Sequence, residues 1–199
     1  MKILIACEYS GTVRDAFIAS GHNAISCDLL PTDVPGPHYQ GDVFDIIADG
    51  FDLMVCHPPC THLAVSGAAW FHKKQDVQPA ALQFVRDLLN APIPMIALEN
   101  PVSIISTRIR KPDQVVQPWM FGHKEQKATC LWLKGLPKLE ATNDVYDEMM
   151  LLPKRERERM HYLPPSPDRW KLRSKTYGGI AQAMANQWSN IRQRSLINE

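Results

Sequence analysis

Runs of apolar residues alternate along the chain with segments in which apolar side chains recur at helical spacing. The runs predict four strands, at residues 2–6, 23–28, 51–56 and 94–100. Helical spacing predicts one helix that ends at Gly21 and a second near residues 76–90. Strands that alternate with helices form a mostly parallel sheet, so the chain is predicted to have an α/β fold.

The last part of the chain predicts a hairpin and a closing helix. Residues 115–116 and 128–133 bracket a turn, which indicates an antiparallel pair of strands at the end of the sheet. A final helix is predicted to begin near Gly179. Its apolar face would comprise Ile180, Ala183, Met184, Trp188 and Ile191.

Polar residues collect where the predicted strands end. Open parallel sheets bind their ligands at the carboxyl ends of the strands. In this chain those ends carry Cys7, Glu8, Asp28, Asp42, residues 57–60, Glu99 and Asn100. We therefore expect the functional site at this edge of the sheet.

The composition is that of one globular domain, with 199 residues of which 45% are hydrophobic and 22% charged. No apolar stretch approaches the roughly 20 residues of a membrane span, and the start of the chain lacks a signal-peptide pattern. The odd number of cysteines, five, indicates reduced thiols. These features predict a cytoplasmic protein without a membrane partner.

Charge is distributed unevenly although the net charge is only +1. Residues 1–100 carry a net charge of −6, whereas residues 154–175 carry +5. This pattern fits a small-ligand site beside a surface that binds a polyanion such as DNA. The phosphate-binding residues would be Arg155, Arg157, Arg159, Arg169, Lys171 and Arg173, with Tyr162 and Trp170 interleaved. A solvated arginine-rich helix near 154–160 explains the same charges, and packing beneath a loop explains Trp170.

The first two strands suggest a nucleoside site. Asp28 follows the turn at Ser10 and Gly11 by about 20 residues, where a carboxylate accepts hydrogen bonds from both ribose hydroxyls. The turn has only one glycine and is a poor cradle for a pyrophosphate. A ribose without a pyrophosphate suggests S-adenosylmethionine, with Asp42 at the adenine amine. The alternative for Asp28 is an ordinary cap or loop aspartate.

The third and fourth strands end in a thiol and a carboxylate. Cys60 follows Pro58 and Pro59, and a rigid loop can hold its sulfur outward as a nucleophile. Inert packing is the alternative for a lone cysteine. Glu99 closes an apolar strand, where a carboxylate is costly unless it is used or paired. Together they suit attack on cytosine, the thiolate adding to C6 while the carboxyl group binds N3 and the 4-amino group. The surrounding Cys and His residues lack the usual zinc spacing, so no metal is expected.

In this order the motifs resemble those of the cytosine-C5 DNA methyltransferase family. The segments that carry the resemblance are ACEYSGTVRDAF, GDV at residues 41–43, HPPCTHLAVSG, LENP, FGHKEQKATCLWL and KTYGGIAQAMA at residues 175–185. They run in order from residue 1 to about 190. The subfamily looks like small members encoded by phages or prophages, which implies a bacterial or phage-infected host.

The resemblance implies a class I S-adenosylmethionine-dependent methyltransferase fold, Rossmann-like, with a mostly parallel seven-stranded sheet and an antiparallel terminal hairpin. It implies methyl transfer to C5 of a cytosine that is flipped out of DNA, through a covalent adduct of Cys60. The catalytic residues would be Cys60, Glu99 and Lys127. The residues that would contact the cofactor are Cys7, Glu8, Tyr9, Ser10, Gly11, Thr12, Asp28, Leu29, Asp42, Val43, Pro58 and Gly179.

The same resemblance predicts how the chain is divided. Residues 1–135 would form the catalytic core, 136–175 a short basic insertion in place of a target-recognition domain, and 176–199 a helix that returns to the core. The insertion is short for target recognition, so a separate recognition subunit or a homodimer is a possible partner. Thr61, Lys127 and Thr129 depart from the family, which has Gln and two Arg at these positions.

Catalysis by this set places demands on its titrating groups. Glu99 has to donate a proton to the base, so we expect its apolar site to raise its pKa. The Cys60 thiol needs a lowered pKa or a nearby base, and the candidates are His57, His62 and Lys127. Lys127 ranks first among them because its motif position matches the family.

Two other functions stay open on the sequence. The short insertion is compatible with the same chemistry on a free nucleotide or on RNA. Lys127 and Thr129 are compatible with a catalytically degenerate protein that binds DNA or a partner during phage infection. The presence of both Cys60 and Glu99 argues against this degenerate function.

Overall fold

A computed structural model describes residues 1–189 of the chain and contains a seven-stranded sheet. The strands are β1 (Lys2–Ala6), β2 (Asn23–Asp28), β3 (His38–Gln40), β4 (Leu53–Cys56), β5 (Met95–Pro101), β6 (Gln114–Val116) and β7 (Thr129–Lys134). Their spatial order is β3-β2-β1-β4-β5-β7-β6. Only β7 runs antiparallel to its neighbours β5 and β6. The predicted α/β fold, with a mostly parallel sheet and an antiparallel terminal hairpin, is confirmed.

Helices cover the sheet and fill the C-terminal part of the described chain. They are α1 (Thr12–Ala19), α2 (Gln78–Leu89), α3 (Ile105–Arg108), α4 (Tyr146–Met150), α5 (Lys154–Arg157), α6 (Arg159–Tyr162), α7 (Arg169–Ser174) and α8 (Gly178–Ser189). Three 3-10 helices lie at Val43–Asp45, Val65–Lys73 and Pro118–Met120. Within residues 1–189 no helix is both long and apolar enough to cross a membrane.

Two apolar layers sandwich the sheet because successive strand side chains point to opposite faces. Ile3 and Ile5 of β1 pack with α1 and α8, whereas Leu4 and Ala6 pack with α2 on the other face. This double burial explains why the central strands are apolar at every position. The predicted closing helix is α8, and its Trp188 is fully buried with the indole N–H donated to the Pro137 carbonyl at 3.0 Å. Ile191 lies outside the described residues.

The segment at 136–175 contains four short helices, α4 to α7, in place of the single arginine-rich helix that charge alone suggests near 154–160. Two of them, α5 and α6, divide that stretch around Glu158. The segment also contributes to the interior, since Leu139, Val145 and Met149 are buried. The proposed division at residues 135 and 175 stays a prediction.

Candidate active site

A buried histidine and glutamate lie side by side at the carboxyl ends of two central strands. Cys56 of β4 pairs with Leu98 of β5 in parallel register, so the residues that follow, His57 and Glu99, are neighbours. They lie at the edge formed by the carboxyl ends of β1, β2, β4 and β5, which we call the active edge. His57 Nδ1 lies 2.7 Å from Glu99 Oε2. Only 11% and 12% of the two side chains is exposed. The contact is therefore a hydrogen-bonded pair shielded from water.

The surroundings of this pair correct the expected titration of Glu99. Burial by itself raises the pKa of Glu99, but the hydrogen bond from His57 and the charges of His57 and Lys127 outweigh it and lower the pKa. Thr176 adds a further side-chain hydrogen bond to the carboxylate. The expectation of a raised Glu99 pKa is therefore wrong for the free protein. An apolar strand end was the sequence signal, and the cation beside it decides the outcome.

His57 shows the matching shift. Burial lowers the pKa of an imidazole, yet the hydrogen bond and charge of Glu99, with a smaller contribution from Glu8, raise it above the ordinary value. Lys127 opposes this rise. The Nε2 atom of His57 is buried and has no hydrogen-bond partner among the residues described. The contact and the raised pKa of His57 together favour an imidazolium–carboxylate pair, with an Nδ1 proton directed at Glu99.

Cys60 is held beside this pair by a tight turn. Its carbonyl accepts hydrogen bonds from the amides of Leu63 at 3.0 Å and Ala64 at 2.9 Å. The buried Asn100 side chain donates to the Pro58 carbonyl at 2.9 Å and so fastens the end of β5 to the loop. The thiol is partly exposed, whereas Cys56 is fully buried, as expected for a core thiol. The loop can therefore present Cys60 to a ligand.

The environment of the Cys60 thiol does not make it a strong nucleophile in the free protein. Burial and the charge of Glu99 raise its pKa, while the positive charges of Arg173 and Lys127 oppose the rise. Lys127 Nζ donates to the Arg173 carbonyl at 2.8 Å and lies 5.6 Å from the centre of the Tyr177 ring. Lys127 thus lies near Cys60 and Glu99, but its hydrogen bond goes to a backbone carbonyl, and its catalytic role stays a prediction.

The turn after β1 is built by its own polar side chains. Glu8 is 5% exposed, and its carboxylate accepts the amides of Val13 at 2.7 Å and Arg14 at 3.2 Å. Negative charge at this position also complements the N-terminus of α1. Ser10 donates to the same carboxylate at 3.1 Å. Glu8, predicted to contact the cofactor, thus caps α1.

Backbone conformation shapes the same turn. Cys7 has φ 58°, a left-handed conformation that turns the chain sharply at the end of β1. Gly11 has φ 73°, and a side chain there would collide with Arg14 and Val34. The Ser10 hydroxyl also lies 3.1 Å from the Thr12 hydroxyl. This turn, from Cys7 to Thr12, therefore has a defined shape before any ligand binds.

The residues at the ends of β2 and β3 fit a nucleoside. Asp28 Oδ1 accepts the Leu30 amide at 2.9 Å, and Asp42 Oδ1 accepts the Phe44 amide at 3.0 Å. Burial raises the pKa of the Cys7 thiol, and the charges of Asp28 and Asp42 add to the rise, so both carboxylates lie near this turn. Leu29 is 73% exposed and Phe44 42% exposed, so apolar surface is available beside the carboxylates for a base. Acceptors for ribose hydroxyls next to an apolar surface suit S-adenosylmethionine.

Three other residues assigned to the cofactor have structural contacts. Val43 is buried in the core, and the Pro58 carbonyl is occupied by Asn100. Gly179 donates its amide to His123 Nε2 at 3.0 Å. A side chain at Gly179 would collide with the Phe121 carbonyl, so this glycine is required for packing. The cofactor role of these residues stays a prediction.

Arg14 is a positioning residue that the sequence does not reveal as one. It is fully buried on α1 and donates to the Ser26 hydroxyl at 3.2 Å, the Thr32 hydroxyl at 3.3 Å and the Pro35 carbonyl at 3.2 Å. It therefore fixes the proline-rich loop that follows Asp28. The available signal was an arginine between Val13 and Phe17, which both face the core.

A strap formed by residues 170–176 crosses the active edge and joins its two halves. Tyr9 of the first turn contacts the Ser174 hydroxyl at 2.9 Å and packs its ring 5.7 Å from that of Trp170. Lys175 pairs with Asp33 at 2.9 Å. The strap also supplies the Arg173 carbonyl to Lys127 and the Thr176 hydroxyl to Glu99. It was predicted only as part of a basic insertion, because contacts this distant in sequence leave no local pattern.

The six basic residues predicted to bind phosphates differ in how they are used. Arg159 pairs with Glu125 at 2.7 Å, and Arg169 donates to the Leu163 carbonyl at 2.9 Å. Arg157 is partly buried and directed to backbone carbonyls near Leu152. Arg155 is exposed. Lys171 lies against the exposed ring of Trp170, and Arg173 lies near Cys60. The structure thus spreads these residues between internal contacts and the surface.

No family model matches this sequence, and no curated protein sequence is significantly similar to it. Among solved structures, the methyltransferase EhMeth of Entamoeba histolytica has a TM-score of 0.50 at 15% identity, over 83% of this chain and 63% of that one. A protein described as a DNA modification methyltransferase, encoded within an E. coli prophage, has a TM-score of 0.45 at 13% identity, over 76% and 55%. This chain spans less than two thirds of either protein. With the strand order above, the first similarity shows the fold of a class I methyltransferase.

Proposed function

We propose that this protein transfers a methyl group from S-adenosylmethionine to C5 of cytosine in DNA. The observation that carries the proposal is the placement of Cys60 and Glu99 at the ends of adjacent strands, with Lys127 beside both. A thiol and a carboxylate in this relation suit covalent attack on a pyrimidine. The fold and the nucleoside-sized polar set around Asp28 are consistent with the same reaction.

Each residue of the set has a role in this reaction. The Cys60 thiolate would add to C6 of the base, which makes C5 a carbon nucleophile. Glu99 would bind the 4-amino group and protonate N3 as the Cys60 bond forms. Asn100 holds the Cys60 loop to β5 through Pro58 and so fixes the distance between the two groups. When bound, S-adenosylmethionine supplies an electrophilic methyl group.

The cofactor would occupy the end of β1 and β2. The turn from Cys7 to Thr12 would form the floor of this site, and the Asp28 carboxylate would face the ribose. Leu29 and Phe44 offer exposed apolar side chains to the adenine. This arrangement directs the cofactor toward the end of β4, where Cys60 lies.

DNA would reach the site with its target base flipped out of the duplex. Phosphate contacts would come from the exposed part of the basic segment. Residues 136–175 have room for few contacts to base edges, so sequence preference would require a separate recognition subunit or a second copy of the chain. We expect little preference from the isolated protein.

A covalent trap tests the proposal directly. The protein is incubated with S-adenosylmethionine and DNA that contains 5-fluorocytosine, whose C5 fluorine cannot leave as a proton does. We expect a complex that survives denaturation, with the adduct mapped by mass spectrometry to Cys60. The Cys60→Ser protein should form none, and Cys130→Ser, which alters a buried cysteine of β7, should still form it.

Other outcomes would assign the chemistry elsewhere. An adduct on Cys56 or Cys130 would overturn the site. Methylation that persists in Cys60→Ala would overturn the covalent mechanism and indicate transfer to an amino group. A trap that forms with the free 5-fluorinated nucleotide and not with DNA would replace the proposed substrate by a nucleotide.

A further inference from the structure

The His57–Glu99 pair creates a proton problem for the proposed reaction. Glu99 has to give a proton to N3 of cytosine, yet its contacts favour the ionised carboxylate. Glu99 Oε2 is also occupied by His57 Nδ1 at 2.7 Å. Any proton that reaches the base through Glu99 must therefore come from a neighbour, and His57 is the titratable group in direct contact.

The position of His57 suits it to hold that proton. Its side chain is 11% exposed, so exchange of protons with bulk water is restricted. The polypeptide fixes it from both sides, since its amide donates to the Ala6 carbonyl at 2.9 Å and Pro58 follows it. Its Nε2 is buried without a partner among residues 1–189, so Glu99 is the one hydrogen-bonding group found for this ring.

We propose that His57 stores on Nδ1 the proton that Glu99 delivers to N3 of the target base. This inference rests on the proposed function and adds a residue to it. His57 acts through Glu99 and is therefore a positioning residue. From the sequence alone His57 is a candidate only as a base for the thiol, a role that its hydrogen bond to Glu99 does not support.

The proton transfers balance over one turnover. The Cys60 thiol first loses its proton to water. As the resulting thiolate bonds to C6, the Nδ1 proton of His57 passes to Glu99 Oε2 and on from Glu99 to N3. The base then has an enamine whose C5 takes the methyl group. After the C5 proton leaves to water, the bond between Cys60 and C6 breaks, N3 returns its proton to the pair, and the thiolate regains a proton from water. The net proton released is that of C5.

The charges around the pair favour this direction. Glu99 and Glu8 stabilise the imidazolium, and Lys127 opposes it. Lys127 and Thr176 stabilise the Glu99 carboxylate. Cys60 lies within the field of Glu99 and carries a thiol in the free protein. A neutral base that enters between Glu99 and Cys60 therefore meets the proton stored on His57 and the Glu99 carboxylate that passes it on.

Nuclear magnetic resonance of the imidazole nitrogens tests, without any reaction, whether His57 holds the proton. We expect His57 to be mostly imidazolium at pH 6.5, the ordinary midpoint of histidine being about 6.5. Its midpoint should fall in Glu99→Gln, which removes the stabilising charge. His22, whose pKa burial lowers, is an internal control with a midpoint on the other side. A neutral His57 at pH 6.5 in the wild-type protein would overturn the proposal.

The rate of adduct formation with 5-fluorocytosine DNA tests whether the His57 proton reaches the base through Glu99. His57→Asn keeps an N–H donor near Glu99 but cannot transfer a proton. We expect it to react on the order of 100-fold more slowly at neutral pH, with little change in the DNA concentration needed for half-maximal rate. The rate should recover toward low pH, where Glu99 takes its proton from water. His22→Asn, at the far edge of the sheet, is the matched control.

The outcomes separate this inference from the proposed function. An unchanged rate and pH profile in a folded His57→Asn protein would overturn the delivery by His57. An adduct in the wild-type protein with a neutral His57 would overturn the store and leave the proposed function standing. A charged His57 without any adduct in the wild-type protein would overturn the proposed function, and with it the delivery to cytosine.

Discussion

Acidic residues at the active edge have similar sequence positions and different tasks. Glu8 and Asp42 both follow a strand, and both accept backbone amides at the start of a helix. Asp28 accepts only a local loop amide and stays half-exposed next to apolar surface. Glu99 is paired with the buried His57. At the residue scale the partner of each carboxylate, which the sequence does not show, separates the helix-capping carboxylates from those left for the proposed binding and catalysis.

The role of Asp28 can be tested by Asp28→Asn. The asparagine keeps an acceptor for the Leu30 amide but replaces one of the two carboxylate oxygens by a donor. We expect the affinity for S-adenosylmethionine to fall by about 1 kcal/mol for the lost hydrogen bond, as measured by calorimetric titration. Asp45→Asn, on the neighbouring 3-10 helix, is the control. Unchanged affinity in the folded Asp28→Asn protein would assign Asp28 to the loop alone.

The His57–Glu99 pair predicts a limited pH window of stabilisation. Because the pKa of Glu99 is lowered, its contribution is present above the unfolded value of about 4.3 and is lost as the pH falls through the folded value. Because the pKa of His57 is raised, its contribution is present below about 6.5 and is lost as the pH rises through the folded value. The pair therefore stabilises most between these limits.

Urea denaturation across pH 4 to 9 measures this window. Glu99→Gln should remove the loss of unfolding free energy that the wild-type protein shows as the pH rises above about 6.5. Glu148→Gln changes an exposed carboxylate that pairs with Lys124 and is the control. The same alkaline slope in the wild-type and Glu99→Gln proteins would contradict the pair.

At the scale of elements, the close packing of two segments can require a particular residue where no sequence motif does. The start of α8 passes so close to the Phe121 carbonyl that Gly179 leaves no room for a side chain. The adjacent Gly178 has open space around it. Two glycines in succession therefore have different significance, which only the contact with residues 121–123 reveals.

Gly179→Ala tests the packing role against the predicted cofactor role. The methyl group would overlap the Phe121 carbonyl, and we expect a loss of about 1–3 kcal/mol of unfolding free energy. Gly178→Ala has no atom to meet and should leave stability unchanged or slightly higher. Chemical denaturation measures both. If Gly179→Ala lost affinity for S-adenosylmethionine at full stability, the cofactor role would be supported and the packing role contradicted.

The strap of residues 170–176 is tied to the first turn through Tyr9, so loss of this tie should ease its opening. Tyr9→Phe removes the hydrogen bonds to the Ser174 hydroxyl and the Lys171 carbonyl. We expect the free energy of local opening of α7 to fall by about 1 kcal/mol, measured as faster amide hydrogen exchange in residues 169–174. Tyr39→Phe, which loses a hydrogen bond to Asp45, is the control. Equal exchange of α7 in both variants would contradict the tie.

For the whole molecule, the distribution of charge bears on the proposed binding of DNA. The acidic first half contains β1 to β4, and the basic segment folds back over the carboxyl ends of these strands through the strap. Several of its arginines already form an ion pair with Glu125 or donate hydrogen bonds to backbone carbonyls. The number of phosphates contacted should accordingly be smaller than the number of basic residues in the segment.

Salt dependence of DNA binding measures that number. Each neutralised phosphate contributes a slope of about 0.9 log unit of affinity per log unit of salt. Arg155→Gln, at an exposed position, should reduce the slope by about one such contact. Lys111→Gln, an exposed lysine outside the segment, is the control. A wild-type slope near zero would remove DNA as the substrate and favour a free nucleotide.

The fold and the sheet edge of the candidate site could both be predicted from the amino-acid sequence. The central strands are apolar at every position because both faces are covered, and their polar ends necessarily meet at one edge of a parallel sheet. Cys60 and Glu99 follow from that pattern together with the resemblance. The contact between His57 and Glu99 left a signal in the sequence that the prediction did not use. Each residue lies at the carboxyl end of a predicted strand, and parallel register places the two side by side.

The pKa shifts of the site residues and their hydrogen-bond partners depend on contacts that only the folded chain makes. The pKa of Glu99 depends on the charge next to it, and His57, Lys127 and Thr176 reach it from three separate segments of the chain. The strap, the role of Arg14 and the need for Gly179 arise in the same way, from contacts between residues far apart in sequence. Hydrophobic periodicity is a local property and is visible in the sequence. Electrostatic pairing and close packing depend on distances in space, which only the folded chain specifies.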